Sequence, residues 1–293
     1  MAYLPKLKPA IGNQLGGMPE RRQFAADIIQ SYLNPAISGE IGATENLSTS
    51  GSSFSTVVDI YISKDGANLF IAANANDFVK QFSLSIPWDI TSYSYIREAL
   101  PSGYSPSSSN GICAFSEDGK NMYALASTTD VITHSTLSTA WDISTLTGGN
   151  SHDFSTQSTS ISSLLIKPDG SKCIINGTSG GDVVGFDMST PFDIGSASSF
   201  VTYLGLGFNS GPLWVSPDGQ FIVMLDPSNN RLTYGIMSIP WDVSTIVKYP
   251  YILIEGAINN GLVLQPTIPA GRMFGGSAIT SIHQSPSLFE EQL

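Results

Sequence analysis

A chain of 293 residues can bury a large core, but its formal net charge of −11 and its pI of about 4.5 argue against an extended nucleic-acid interface. Its apolar stretches are too short to cross a membrane, and its first residues lack the continuous apolar core of a secretory signal. Charged side chains make up only 13 %, and the Ser-, Thr-, Asn- and Gly-rich remainder suits turns and short strands more than long helices. We therefore expect a protein made in a cytoplasm, with no nucleic-acid partner and no membrane insertion.

Residues 1–44 form an N-terminal arm that differs in charge from the rest of the chain. They carry a net charge of +1, while the residues after them carry −12. The stretch "PERRQFAADIIQSYL" predicts a helix over about 19–33, because Pro19 suits a first helical turn and Pro35 lies just past the end. Its apolar side chains form one stripe, and a helix of this length needs a surface on which to bury that stripe.

Two roles fit the arm. It would either pack on the rest of its own chain or anchor the protein to another subunit, and its basic charge favours the second role. The predicted partner-binding residues of the arm are Lys6, Lys8, Arg21, Arg22, Phe24, Ile28 and Tyr32.

Four copies of one motif follow the arm. In each copy an Asp-Gly pair is followed 23 residues after its Asp by an aromatic residue that precedes another Asp. The copies pair Asp65 with Trp88, Asp118 with Trp141, Asp169 with Phe192, and Asp218 with Trp241. Successive copies are 53, 51 and 49 residues apart, so a rigid unit is joined by loops of variable length.

Each copy is predicted to form four strands. An apolar strand precedes Asp-Gly, which reverses the chain, and a second apolar strand follows, as in "NLFIAA". A third strand ends at a serine, and the aromatic-Asp cluster and a fourth strand complete the unit. Four antiparallel strands in about 50 residues, repeated in tandem, predict the blades of an all-β protein, a β-propeller over residues 45–293.

The number of blades depends on the chain ends. After Trp241, "GLVLQP" aligns with an earlier first strand, and "GRMFGG" and "SAITSIHQ" are predicted as the next two strands. Residues 45–56 align with a fourth strand that has no blade before it. We expect this N-terminal strand to complete the last blade, giving five blades and a closed ring that leaves few exposed edges.

The repeated aromatic and Asp residues have two interpretations. A ligand pocket would use such residues, but a single pocket does not need four copies. Packing between adjacent blades explains all four, and the Asp after each aromatic would accept N–H bonds from the Ser/Thr turn that follows. We therefore predict that the residues of the four Asp-Gly and aromatic-Asp pairs are structural.

The pattern of Asp-Gly, a strand, a third strand ending in Ser, and Pro-Trp-Asp-Ile-Ser-Thr resembles a known propeller repeat. "VSPDGQFIVML", "IKPDGSKCIIN", "QFSLSIPWDITS" and "HSTLSTAWDIST" are similar to WD40/YVTN-like repeats in structural proteins of marine tailed bacteriophages and in some bacterial proteins. The resemblance covers about residues 55–245 and departs from the pattern at Phe192, at Gly195 and in the last blade. It implies a β-propeller and an origin in a phage particle, although propellers carry unrelated functions.

No residue pattern predicts catalysis, a cofactor or a metal. His134, His152 and His283 are scattered without metal-ligand spacing, and no GxSxG, Walker or Rossmann motif is present. His134 falls on a third strand, where its copies are Gln81, Gly185 and Tyr234, which indicates a surface or interface position. We therefore expect no catalytic, cofactor-binding or metal-binding residue, and no enzyme.

The favoured hypothesis is a phage virion structural protein. Its arm would attach to other virion proteins of the head, neck or tail, and its propeller would project as a decoration, a tail-fibre component or a module that contacts a host-surface glycan or protein. It would be located in the virion after synthesis in the host cytoplasm. The alternatives are a bacterial propeller that binds a glycan or peptide and, third, an enzyme acting on polysaccharide.

Overall fold

The computed structural model describes residues 57–73, 78–89, 92–104, 112–126, 128–177, 183–204, 213–216, 218–226, 231–248, 252–253 and 272–273. These residues form four antiparallel sheets, one for each copy of the motif, in a four-bladed propeller arrangement. Apolar strands alternate with Asp-Gly and Ser/Thr turns along the chain, so the first four strands of each blade pair in chain order.

The first two sheets follow chain order from the inner to the outer edge. Blade 1 contains β1 (Val57–Ile62), β2 (Asn68–Ala73), β3 (Val79–Leu84) and β4 (Tyr93–Ala99). Blade 2 contains β5 (Cys113–Phe115), β6 (Asn121–Ala126) and β7 (Val131–Leu137), and its outer edge is divided into β8 (Leu146–Thr147) and β9 (Ser151–Asp153). The outer edge of blade 2 is broken near Gly149, whose backbone lies so close to the carbonyl of His134 that a Cβ there would overlap it.

The next two sheets repeat this plan. Blade 3 contains β10 (Ser163–Ile166), β11 (Lys172–Asn176), β12 (Val183–Met188) and β13 (Ala197–Tyr203). Blade 4 contains β14 (Leu213–Val215), β15 (Phe221–Asp226) and β16 (Arg231–Met237), with β17 (Ile246–Lys248) and β18 (Ile252–Leu253) both paired to β16. A short 3-10 turn precedes the outer strands of blades 2, 3 and 4, at Ile143–Thr145, Ile194–Ser196 and Val243–Thr245.

Three of the buried apolar clusters lie at the seams, by which we mean the interfaces between successive blades, and a fourth lies within blade 1. The seam between blades 1 and 2 buries Tyr61, Phe70 and Phe115, together with Cys113. The next seam is built in the same way from blades 2 and 3, and the third joins Ile174 of blade 3 to several apolar side chains of blade 4. Strands whose two faces are both apolar are therefore explained by stacked sheets, in which each face meets a neighbouring blade.

The all-β propeller predicted from the sequence is confirmed, with four blades among the described residues. The predicted helix over about 19–33, the strand over 45–56 and most of the predicted fifth blade lie outside the described residues. In "GRMFGG", where the sequence predicts a strand, Arg272–Met273 forms β19, and among the described residues it pairs antiparallel with the inner strand β1 of blade 1.

Candidate functional site at the seams between blades

The aromatic residue of each copy is held on the glycine of its own Asp-Gly turn. All four aromatics adopt a left-handed backbone with φ between 61° and 69°, and the four glycines have φ between 69° and 73°. The aromatic N–H donates to the glycine carbonyl at 2.9–3.0 Å. Each ring covers its glycine so closely that a Cβ there would lie less than 3.0 Å from ring atoms. This local lock explains why the interval of 23 residues is constant.

The Asp of each Asp-Gly pair organises the turn that the glycine makes. In blade 1, Ser63 Oγ donates to Asp65 Oδ1 at 2.5 Å, and the N–H of Ala67 donates to the same oxygen at 3.0 Å. Blades 2 and 4 repeat this serine–aspartate pair, whereas blade 3 has Lys167 in the place of the serine. Burial raises the pKa of Asp169, but the hydrogen bonds and charge of Lys167 and the hydrogen bonds of Ser171 outweigh it and lower the pKa to about 2.

In blades 2, 3 and 4 the second Asp of the copy caps the 3-10 turn that follows the aromatic residue. Asp142, Asp193 and Asp242 each accept an N–H bond from the residue two positions later. The hydroxyl and N–H of Ser144, together with the charge of Arg97, lower the pKa of Asp142 despite some burial. The Asp142 carboxylate therefore remains ionised at neutral pH, and all three carboxylates accept hydrogen bonds at the blade edge.

The aromatic-Asp turns of blades 2, 3 and 4 each lie at a seam, against the blade that precedes them. The 3-10 turns of blades 2, 3 and 4 contact β4, β9 and β13, respectively, which belong to the outer edge of the preceding blade. At the first seam Trp141 lies among Tyr61 and Phe70 of blade 1 and Phe115 of its own blade, with ring centroids 6.0, 6.2 and 5.6 Å away. The aromatic ring thus fills space between two sheets while its backbone is fixed by one of them.

A polar cluster crosses the second seam. Tyr123 Oη donates to the Phe192 carbonyl at 2.6 Å, and Asn150 Nδ2 donates to both carboxylate oxygens of Asp193, at 3.0 and 2.9 Å. His134, buried with 7 % exposure, stacks on Tyr123 with ring centroids 5.1 Å apart. Burial lowers the pKa of His134, and the nearby charge of Asp193 opposes that effect.

The tautomer of His134 follows from its neighbours. Asn121 Nδ2 donates to Ser116 Oγ at 3.1 Å, so Asn121 Oδ1 is the atom that faces His134 Nε2 at 2.9 Å. An amide oxygen accepts only, and Nε2 therefore carries the proton in the neutral ring. This histidine is an uncharged member of a buried seam.

The structure places the predicted structural residues in equivalent positions, at the Asp-Gly turns and at the aromatic-Asp turns. The predicted arm residues lie outside the described residues. Sequence reasoning missed the seam residues Gln81, Arg97, Tyr123 and Asn150. For Arg97 and Asn150 the available signal was a shared spacing. Each lies eight positions after the Asp of the aromatic-Asp turn in its own blade, Asp89 and Asp142, respectively.

Among the described residues, no group of three or more His, Cys, Asp or Glu side chains is arranged to hold a metal ion. Within the same part of the chain, no helix is long and apolar enough to cross a membrane. Cys113 and Cys173 are buried thiols that form no disulfide with each other.

Comparison with known proteins finds similarity in structure alone. No protein-family model matches the chain, and no curated protein matches its sequence. A Bacteroides fragilis protein assigned as a 6-phosphogluconolactonase is similar at 14 % identity and a TM-score of 0.48, over 67 % of this chain and 55 % of that one. The periplasmic gluconolactonase of Pseudomonas aeruginosa gives 14 % identity and a TM-score of 0.45, over 75 % and 57 % of the two chains. Sqt1 of Chaetomium thermophilum, bound to the N-terminus of a ribosomal protein, gives 15 % and 0.40, over 65 % and 47 %.

The four antiparallel sheets of this chain define its class, the β-propellers, and the similar structures add nothing narrower. The chain spans little more than half the length of the first structures that it resembles. The prediction that the chain is not an enzyme is corrected, because two of the similar structures are named as lactonases and a propeller can carry an enzyme or a binding protein. At such low identity the likeness gives this chain no activity.

Proposed function

We propose that the chain is a structural protein of a tailed-phage virion, in which the propeller is a rigid protein-binding scaffold and the arm, residues 1–44, attaches to other virion proteins. The observation that carries the scaffold role is that the repeated residues hold the blades in shape and against one another. In all four copies the aromatic residue is locked onto its own glycine, and in the three seams among described residues the turn contacts the preceding blade. The most regular part of the sequence thus maintains the shape of the ring.

The outer edges of the blades offer a surface for a protein partner. Large apolar side chains are exposed on or beside the outer strands of blades 1, 3 and 4, where an edge strand has backbone groups free to pair. They are Tyr95, Ile96, Leu100, Val201, Leu204 and Val247. A virion protein surrounded by other subunits would cover such side chains.

Two further observations support the virion role. The repeats resemble those of phage structural proteins, in residues that the structure places at the turns and seams. The arm is basic, whereas the rest of the chain is strongly acidic, so the two parts have different electrostatic preferences for a partner.

Mass spectrometry of gradient-purified particles tests the virion role directly. We expect the protein at a fixed copy number per particle, retained through a high-salt wash. A protein that is present in the infected-cell lysate but absent from purified particles would overturn the proposal.

The arm is tested by deleting residues 1–44 and following incorporation into particles. We expect the shortened protein to stay folded and to be lost from the particle, because the four described blades begin after it. Replacing Phe24, Ile28 and Tyr32 with Ser should weaken incorporation, while the control changes Gln23→Ser and Gln30→Ser should not. Full incorporation of the deletion variant would mean that attachment runs through the propeller.

A further inference from the structure

We infer that each seam carries its own matched residues, so that an aromatic-Asp turn fits only the blade that precedes it in the chain. The turns are close copies, yet they differ where the preceding blade touches them. Ser144, Gly195 and Ser244 occupy one turn position, and Ile143, Ile194 and Val243 occupy another. The preceding blades differ at the facing positions in a complementary way.

At the first seam the match is polar and long-reaching. Gln81 Nε2 donates to the Trp141 carbonyl at 2.6 Å, and Gln81 Oε1 accepts the N–H of Ile143 at 3.3 Å. Arg97 Nη1 donates to Asp142 Oδ1 at 2.7 Å and also to Ser144 Oγ. The serine of this turn is thus a partner of an arginine that only blade 1 supplies.

At the second seam the match is short and close. Asn150, in the place of Arg97, reaches Asp193 with its amide, which brings its Cβ near the turn. A Cβ on Gly195 would lie 2.7 Å from Asn150 Cβ, so this turn requires glycine where the first has serine. His134, in the place of Gln81, bonds within its own blade, and Tyr123 makes the bond across the seam. The departure of Gly195 from the repeat pattern is therefore matched to Asn150.

At the third seam the match is apolar. Gly185 stands where the other blades have Gln81 and His134, and a Cβ there would lie 3.0 Å from Val243 Cγ2. The turn of blade 4 has Val243 where the preceding turns have isoleucine, and this side chain is buried against the glycine. If position 185 carried glutamine, as the matching position 81 does, its side chain would have to displace Val243.

Matched seams solve a problem that tandem repeats create. Blades with similar sequences can pair in the wrong order or with the wrong partner during folding, which is a characteristic failure of repeat proteins. A turn that is compatible with only one preceding blade favours the chain order over the alternatives, in the way that coiled-coil partners are selected by clashes as well as by contacts.

Exchange of matched residues in the full-length chain tests the inference. Gly195→Ser places the serine of the first turn into the second seam, where we expect it to lower Tm by about 5 °C through overpacking. Adding Asn150→Arg transplants the partner of the first seam, and the double variant should recover at least half of that loss. Ser244→Gly, which makes the complementary change in the third turn, is the control for altering this turn position.

The third seam supplies a second test if the first variants fail to fold. Gly185→Ala should lower Tm, and Val243→Ala in the same chain should restore part of it. An unchanged Tm for Gly195→Ser, or losses in both double variants that are simply additive, would show that the turns are interchangeable and would overturn the inference.

Discussion

Gly119 is the residue whose replacement best tests the lock between the Asp-Gly turn and the repeated aromatic. It has φ of 69°, and a Cβ added to it would overlap the ring of Trp141. Alanine would therefore meet two separate costs. The left-handed backbone costs an L-residue about 1–2 kcal/mol, and the displaced indole loses packing against Tyr61, Phe70 and Phe115. Aromatic pairs of this kind contribute about 0.5–1.5 kcal/mol each.

We therefore expect Gly119→Ala to lower the free energy of unfolding by about 3–5 kcal/mol. The matched control is Gly148→Ala, because a Cβ there has nothing within 4 Å and the backbone is not left-handed. Both changes stiffen the unfolded chain in the same way, so their difference cancels that effect. The control should stay within about 0.5 kcal/mol of the parent.

A double-mutant cycle separates the two costs. In a Trp141→Ala background the ring is absent, and Gly119→Ala should then cost only the backbone contribution of about 1–2 kcal/mol. Equilibrium urea denaturation followed by far-ultraviolet circular dichroism measures each free energy without depending on tryptophan emission. The reasoning is refuted if Gly119→Ala matches the Gly148→Ala control, or if its cost is the same with and without the indole.

Three further predictions concern the seams. Burial lowers the pKa of His134 from its ordinary value of 6.5, so the unfolded chain takes up the proton at a higher pH than the folded chain does. The stability of the fold should therefore fall as the pH drops below about 6.5. In thermal melts, a His134→Gln variant, which carries the residue of the matching position in blade 1, should lose that component of the pH profile. Tyr123→Phe should cost about 1–2 kcal/mol in urea denaturation, since the Phe192 carbonyl loses its donor across the seam, and a cost near zero would contradict this. Arg97→Ala should cost less than about 1 kcal/mol, because the pair is partly exposed, and the difference should shrink in 1 M NaCl; an effect unchanged by salt would mean that the arginine acts through packing instead.

The blades could be predicted from the sequence because their signals are local. The interval between Asp118 and Trp141 reflects a contact within one blade, and the same contact recurs in every copy, so four independent instances reveal one geometry. The strands are bounded by Asp-Gly and Ser/Thr turns whose chemistry acts over a few residues. The capping role of Asp142 is of the same kind.

The seam contacts could not be predicted in the same way. Gln81 meets the backbone of Trp141 across 60 positions of sequence, and Tyr123 meets Phe192 across 69. These pairs differ from seam to seam, so no repetition reveals them. The position of His134 shows the difficulty. Blades 1, 2 and 3 have Gln81, His134 and Gly185 at this matched position, and the sequence alone does not explain the variation until the facing turn is known. The departure of Gly195 from the pattern likewise has a reason only when Asn150 is beside it.

The pairing of β19 with β1 gives the molecule a different kind of contact from the seams. The seams join consecutive blades through side-chain packing and individual hydrogen bonds to the turns. A chain held together by seams alone would resemble a linear array in which each blade depends only on its neighbours. The ladder between Ile60 and Met273, and between Tyr61 and Arg272, joins the first sheet to a segment near the C-terminus through main-chain pairing. Because that pairing spans more than two hundred positions of sequence, blade 1 is coupled to residues made long after it, and its full stability must await the synthesis of the segment that contains Arg272 and Met273.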